Sequence, residues 1–159
     1  MRAAPRAAAD SPPDAAADKA SGRLPATRRL RSPAQFVAVT SDPQALRAGR
    51  RWLSIAGRVR PDRGEVPVRF GFTASRRHAR RAVDRNTAKR VLREAARRHL
   101  EDLDAAAAAR SVDIVLRLKA AVPDAAQLSR SAWKAALRAE ADALLAQLVR
   151  RLRRTEDGR

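Results

Sequence analysis

Residues 76–98 carry ten Arg or Lys against two acids, Asp84 and Glu94. Within that run Arg85, Lys89, Arg93 and Arg97 recur every four residues, so on a helix they form one file of cations. Guanidinium groups one turn apart are spaced by a few ångströms, comparable with the phosphates of a nucleic-acid strand, and each can hold a phosphate through two parallel N–H donors. Arg76, Arg77, Arg80 and Arg81 lead into the file and Arg90 flanks it. Asn86, inside the run, can hydrogen-bond a base edge or a ribose. A solvated helix face also carries charge, but ten cations with so few acids repel one another unless an anion meets them.

The whole chain repeats this imbalance. It holds 159 residues, with 35 Lys plus Arg against 17 Asp plus Glu and a formal net charge of +18. That excess argues against an ordinary small-metabolite enzyme and for an anionic partner, either nucleic acid or an acidic membrane surface. Only four of the 35 basic residues are Lys, a skew that suits phosphate and base recognition and equally suits a GC-rich coding sequence. With no Cys, disulfides, thiolate metal sites and a Cys nucleophile are excluded. His78 and His99 are too few for most histidine-built metal centres and read as surface residues of the basic segment. There is no paired carboxylate site, no Gly-rich phosphate loop and no activated Ser or His, so the expectation is no catalytic residue, no metal ligand and no cofactor bound by the protein alone. No apolar run approaches the length of about 20 residues that spans a bilayer, and no secretory signal is evident, so the expected location is the cytoplasm.

The elements that must position the basic run can be read from periodicity. Residues 1–27, rich in Ala, Pro and Arg, read as a disordered extension. A single domain is expected over 28–154, with a tail at 155–159. Ser32 and Pro33 are a helix N-cap and first residue, and Phe36, Val37 and Val39 follow before Asp42-Pro43 breaks the helix. Trp52 to Val59 reads as a strand with Leu53, Ile55 and Val59 on one face and Trp52, Ser54 and Ala56 on the other. After the turn at Pro61–Gly64, Val68, Phe70, Phe72 and Ala74 alternate with Arg69, Gly71, Thr73 and Ser75, the period of a half-buried strand. The face opposite the Phe rings carries small residues. It is either a solvated sheet face or room for something to lie across. A helix is predicted from about Arg80 to Leu103, with Ala88, Val91, Leu92 and Ala95 as its buried stripe. A strand follows over Val112–Leu118, and a last helix over about Gln127–Arg153 with Trp133, Leu137, Leu144, Leu145 and Leu148 for the core. The order is an α+β sandwich, α-β-β-(β)-α-β-α, the optional strand placed where Gly64 to Val68 turns.

The stretch from Phe70 to Arg97, FGFTASRRHARRAVDRNTAKRVLREAAR, resembles the signature of the bacterial ribonuclease P protein subunit. In that family a strand ends on a small residue, two basic residues follow, and Arg-Asn-Arg-x-Lys-Arg opens a basic helix. Here the strand ends at Ser75, Arg76-Arg77 are the basic pair, and Arg85, Asn86, Lys89 and Arg90 occupy the motif. RRLRSPAQFVAV from Arg28 is similar to the family's first helix, with Phe36 at its aromatic position, and DIVLRLKAA from Asp113 to its last strand. Two positions depart from the pattern. Thr87 stands where the motif has its second Arg, so one expected RNA contact is missing or moved. Thr40 stands where a second aromatic is common.

The resemblance implies a protein that binds a catalytic RNA and, with it, cleaves the 5′ leader from precursor tRNA, the RNA supplying the active site and its Mg2+. It implies a small mixed sheet with a left-handed βαβ crossover. It further implies that Arg76, Arg77, Arg80, Arg81, Arg85, Asn86, Lys89, Arg90 and Arg93 face the catalytic RNA, and that Phe36, Trp52, Ser54, Gly71, Thr73 and Ser75 line a cleft for single-stranded leader. Neither a membrane nor an obligatory protein partner is implied. A ribosomal protein or RNA chaperone would share the charge and the lack of catalytic groups, without needing the small-residue strand face beside a basic helix. A membrane-surface protein would need larger apolar residues on that helix.

Overall fold

Ser32 starts the first helix as its side chain dictates. In the computed structural model, which describes residues 23–158, its hydroxyl accepts the Gln35 N–H at 3.3 Å while the Gln35 side chain accepts the Ser32 N–H at 3.2 Å. With Pro33 at the first position this reciprocal cap opens α1, Pro33–Thr40. The helix ends before Asp42-Pro43, and the Arg47 guanidinium donates to the carbonyls of Thr40 and Asp42 at 2.7 and 2.8 Å.

Four strands follow: β1 Leu46–Gly49, β2 Leu53–Arg60, β3 Val68–Thr73 and β4 Ser111–Leu118, with α2 Ala82–Ala107 between β3 and β4 and α3 Arg130–Asp157 last. The sheet order is β1-β2-β4-β3, antiparallel except for the parallel pair β3 and β4 that α2 connects. This is the expected α+β arrangement around a small mixed sheet. The extra strand, however, is Leu46–Gly49 and not the Gly64–Val68 turn. It is a short edge strand, LRAG, with no β-branched residue to announce it.

Cross-strand partners sort the sheet into rows. On one face Leu46, Gly57, Ile114 and Phe70 share a row, and Ala48, Ile55, Leu116 and Phe72 the next. This face meets α2 through Ala88, Val91, Leu92 and Ala95, and α3 through Trp133, Leu137, Leu144, Leu145 and Leu148, as the helical periodicity predicts. Val59, expected to join that core, is exposed at the sheet's end, and its neighbour Arg60 is buried instead. β4 is buried on both faces from Val112 to Leu116 because it is an inner strand with helices on either side. Trp52, expected on the Ser54 face, precedes β2 and is packed in the main core. Its N–H and that of Leu53 donate to Glu140 of α3 at 2.9 and 3.0 Å, which clamps the strand's start to the helix.

The ordered domain also begins earlier than residue 28. Leu24 is buried in the main core, Ala26–Arg28 form a 3₁₀ turn, and Arg28 makes a two-pronged pair with Asp104 of α2 at 2.8 and 2.9 Å. Leu30 N–H then donates to Phe70 O at 2.7 Å, laying this segment along the open edge of β3. The rest of the proposed extension, residues 1–22, lies outside the described residues.

One ion triad is interior. Asp113 on β4, its side chain 3% exposed, accepts two bonds from Arg69 of β3 at 2.8 and 2.7 Å and faces Arg60 Nε of β2 at 3.3 Å. Burial holds the Arg60 pKa below its ordinary value, partly offset by Asp113, while hydrogen bonding to Asp113 raises that of Arg69. Removing the carboxylate's charge strands two cations at the sheet's end. Asp113→Asn should therefore destabilise the fold by about 3–5 kcal/mol. Asp142→Ala, which breaks the half-exposed link to Arg98 and His99, should cost no more than about 1 kcal/mol. Chemical denaturation of the two variants beside the parent checks the contrast.

Candidate nucleic-acid interface

The sheet's second face runs through three kinds of row. Arg58, Asp113 and Arg69 form the ionic end. Ala56, Val115 and Gly71 form the middle, where α1 sits down through Phe36 and Val39, with Leu30, just before the helix, beside them. Ser54, Arg117 and Thr73 form the last row, which no described helix covers as α1 covers the middle one.

Phe36 can lie on this face because Gly71 has no side chain. A Cβ there would come within 2.7 Å of Phe36 Cζ and within 3.1 Å of Leu30 Cδ1. The ring is only half-buried. It borders a groove of about 410 Å³ lined by Thr40, Phe72, Thr73, Ser75, Lys89 and Arg117. A smaller hollow continues on the other side of the ring toward Arg29, Lys89 and Arg93. An aromatic face beside small hydroxyls and two cations, Lys89 and Arg117, suits a single strand: a base can stack while its phosphates meet the charges.

Of the residues assigned to this cleft from sequence, the structure brings together Phe36, Gly71, Thr73 and Ser75. Ser54 shares the open row, one strand beyond the groove's lining. Trp52 does not belong to it: it is 6% exposed on the opposite side of the sheet, with Arg51 stacked over its ring at 4.6 Å. Two groove cations escaped the sequence reading. Arg117 has a signal, since it is the one charged residue between Ile114 and Leu118. Arg29 has none beyond its place in a basic pair.

The basic segment divides by what each cation already does. Arg76, Arg77, Arg80 and Arg81 are exposed on the turn between β3 and α2, and Ala79 plugs that turn into the core. Arg85 is engaged internally, donating to the carbonyls of Ala79 and Arg80 at 3.0 and 2.8 Å, so it holds the turn's shape. Asn86 and Arg90 are exposed on α2, and Lys89 is turned toward the groove. Arg90, Arg93 and Arg29 meet, with Arg23 and one acid, Glu94, around a hollow of about 520 Å³. Burial first, then the charges of Arg29 and Arg90, hold the Arg93 pKa below its ordinary value. Arg29 Nε is buried without a partner. Four guanidinium groups against one carboxylate make the hollow suited to an anion.

The histidines are quieter than the cations. His99 lies in the seam between α2 and α3, 3.1 Å from Asp142, and so is not simply a surface residue. Among the described residues no three His, Asp or Glu side chains come together as a metal cage.

Comparison with known proteins agrees with this geometry. A family model described as Ribonuclease P matches residues 24–147. The ribonuclease P protein component of Bordetella avium is 35% identical over 127 residues, covering 80% of this chain and 96% of the relative. That of Yersinia enterocolitica is 36% identical over 101 residues, covering 64% of this chain and 76% of the relative. The ribonuclease P protein structure from Staphylococcus aureus superimposes with a TM-score of 0.56 at 17% identity, covering 76% of this chain and 94% of that one.

The seat of Phe36 on Gly71 is open to a direct check. Gly71→Ala should cost about 1–3 kcal/mol, because the new methyl group displaces the ring. Combined with Phe36→Ala, the methyl group has room, so the double variant should lose less than the sum of the two single losses. Strict additivity in a denaturation cycle would mean that the ring does not rest there.

Proposed function

Because the chain belongs to the ribonuclease P protein family, we propose that its two surfaces grip two different RNAs. The exposed turn and α2 take the catalytic RNA of ribonuclease P, and the groove beside Phe36 takes the 5′ leader of precursor tRNA. The chain is a protein subunit of ribonuclease P, acting in 5′ maturation of tRNA.

The observation that carries the division of labour is the crowded hollow of Arg29, Arg90 and Arg93 beside a groove with an aromatic wall. The first gathers guanidinium groups suited to a phosphate and has no aromatic wall. The second offers a stacking surface with charge on its rim. A folded RNA presents clustered phosphates and 2′-hydroxyls to the first, and a flexible leader fits the second. Arg93 lines both the hollow and the cavity at the aromatic wall, and Lys89 carries that wall on into the groove, so the leader would emerge beside the catalytic RNA and not across the molecule from it.

The reading places the catalytic groups, and the Mg2+ that serves them, on the RNA. The protein contributes by lowering the cost of bringing two polyanions together and by holding the leader in one path. This assignment is supported by the described carboxylates, several of which are tied to Arg partners and no three of which come together. The cytoplasm is the location that suits this proposal, and no described helix is long and apolar enough to cross a membrane.

Reconstitution tests the proposal. With a cognate catalytic RNA, the protein should restore cleavage of precursor tRNA at magnesium concentrations too low for the RNA alone, and without RNA it should cleave nothing. Co-purification with whole ribosomal subunits in place of that RNA would contradict it. Phe36→Ala should weaken binding of long-leader precursor by the roughly 1–3 kcal/mol of one lost stack and leave mature tRNA unaffected. Arg90→Ala should weaken the catalytic RNA and reduce the log–log salt slope by about 0.7–0.9. Arg85→Ala should act differently, loosening the 76–81 turn and lowering thermal stability as well as affinity.

A further inference from the structure

We propose that Arg130, on the first turn of α3, supplies the cation that the basic motif lacks at Thr87. This rests on the reading of α2 as the surface for the catalytic RNA.

The Thr87 hydroxyl does two things. It donates to Val83 O at 2.7 Å within α2, and it accepts from Arg130 Nη2 at 3.2 Å. The other arm of that guanidinium, Nη1, lies 2.6 Å from Asp84 Oδ1. Arg130 therefore reaches across from another helix and spreads its head group over the first turns of α2, at the position beside Asn86 and one turn before Arg90. An Arg on α2 at residue 87 would have to occupy the same space.

The burial of the pair is lopsided. The Asp84 side chain is 8% exposed and that of Arg130 is 45% exposed. The attraction within an ion pair is least screened by solvent and salt when both members are shielded. Here the carboxylate is sunk beneath the cation and aims it outward. A guanidinium has five N–H donors, and two contacts leave three for another acceptor. With exposed Asn86 and Arg90 as neighbours, that acceptor would be a phosphate of the RNA on α2. Asp84 is one of two acids in the basic run, and this explains why it is tolerated there: it orients a cation that residue 87 does not carry.

The test separates the cation's contact with RNA from its role between helices. Asp84→Asn breaks the ion pair but keeps Arg130. The double variant Asp84→Asn with Arg130→Ala also removes the cation, without leaving a buried charge unpaired. Binding to the catalytic RNA is measured across a salt range, with the melting temperature of each variant. Asp84→Asn loses the orienting carboxylate but keeps the cation and its bond to Thr87, so it should bind a few-fold more weakly than the parent with an unchanged salt slope. The double variant should bind about tenfold more weakly, with a log–log salt slope smaller by about 0.7–0.9, and adding Thr87→Arg to it should restore both. If the double variant keeps the slope of Asp84→Asn while Arg90→Ala loses its share, Arg130 is structural only and the inference fails while the functional reading stands. If the parent protein does not prefer the catalytic RNA to an unrelated structured RNA of similar length, both fail.

Discussion

Phe70 and Gly71 are adjacent in β3 and so point to opposite faces of the sheet. Phe70 is fully buried beneath α2, against which β3 packs. Gly71 presents bare backbone to the other side, and Phe36 of α1 comes down on it. Both surfaces depend on that step. The large ring anchors the strand under the helix that carries the cations. The missing side chain lets an aromatic lie half-buried at the border of an open row. Parallel pairing of β3 with β4 then places Thr73 beside Arg117 and completes the groove.

The net charge of +18 poses a packing problem that the few described acids solve in one way. Four of the shielded aspartates each join two elements through an arginine. Asp113 ties β4 to β2 and β3, Asp104 ties α2 to the N-terminal turn, Asp142 ties α3 to α2, and Asp84 ties α2 to α3. Neutralisation is thus concentrated at joints of the fold, while the turn from Arg76 to Arg81 and the outer side of α2 keep their positive field for a polyanion. The crowding of Arg29, Arg90 and Arg93 is the local expression of the same arrangement.

Much of this is legible in the residues. Ser32-Pro33 marks a helix start, the alternation from Val68 to Ser75 marks β3 and its two unlike faces, and the apolar stripe of α2 marks the core. These are local signals, set by periods of two and 3.6. What escapes is set by partners distant in sequence. Trp52 has the parity of the groove face, but it sits just before the strand, where Glu140 from α3 captures its N–H and the ring turns into the core. β1 carries no strand propensity and exists because β2 offers it an edge. Leu24 looks like part of a solvated tail until the main core receives it. Arg85 reads as one more free cation, although its Nη1 is held by two carbonyls of the turn it follows. Arg130, far along the chain, has no local mark of belonging with Thr87.

The proposal that one small protein offers separate surfaces to two RNAs can be tested directly. Since the chain has no Cys, single cysteines introduced by Thr40→Cys in the groove and Asn86→Cys on α2 would each carry a photo-crosslinker at a unique position. In the complex of protein, catalytic RNA and precursor tRNA, the probe at position 40 should label leader nucleotides and the probe at position 86 the catalytic RNA. Labelling of the same RNA by both probes, or of the leader from position 86 alone, would contradict the account.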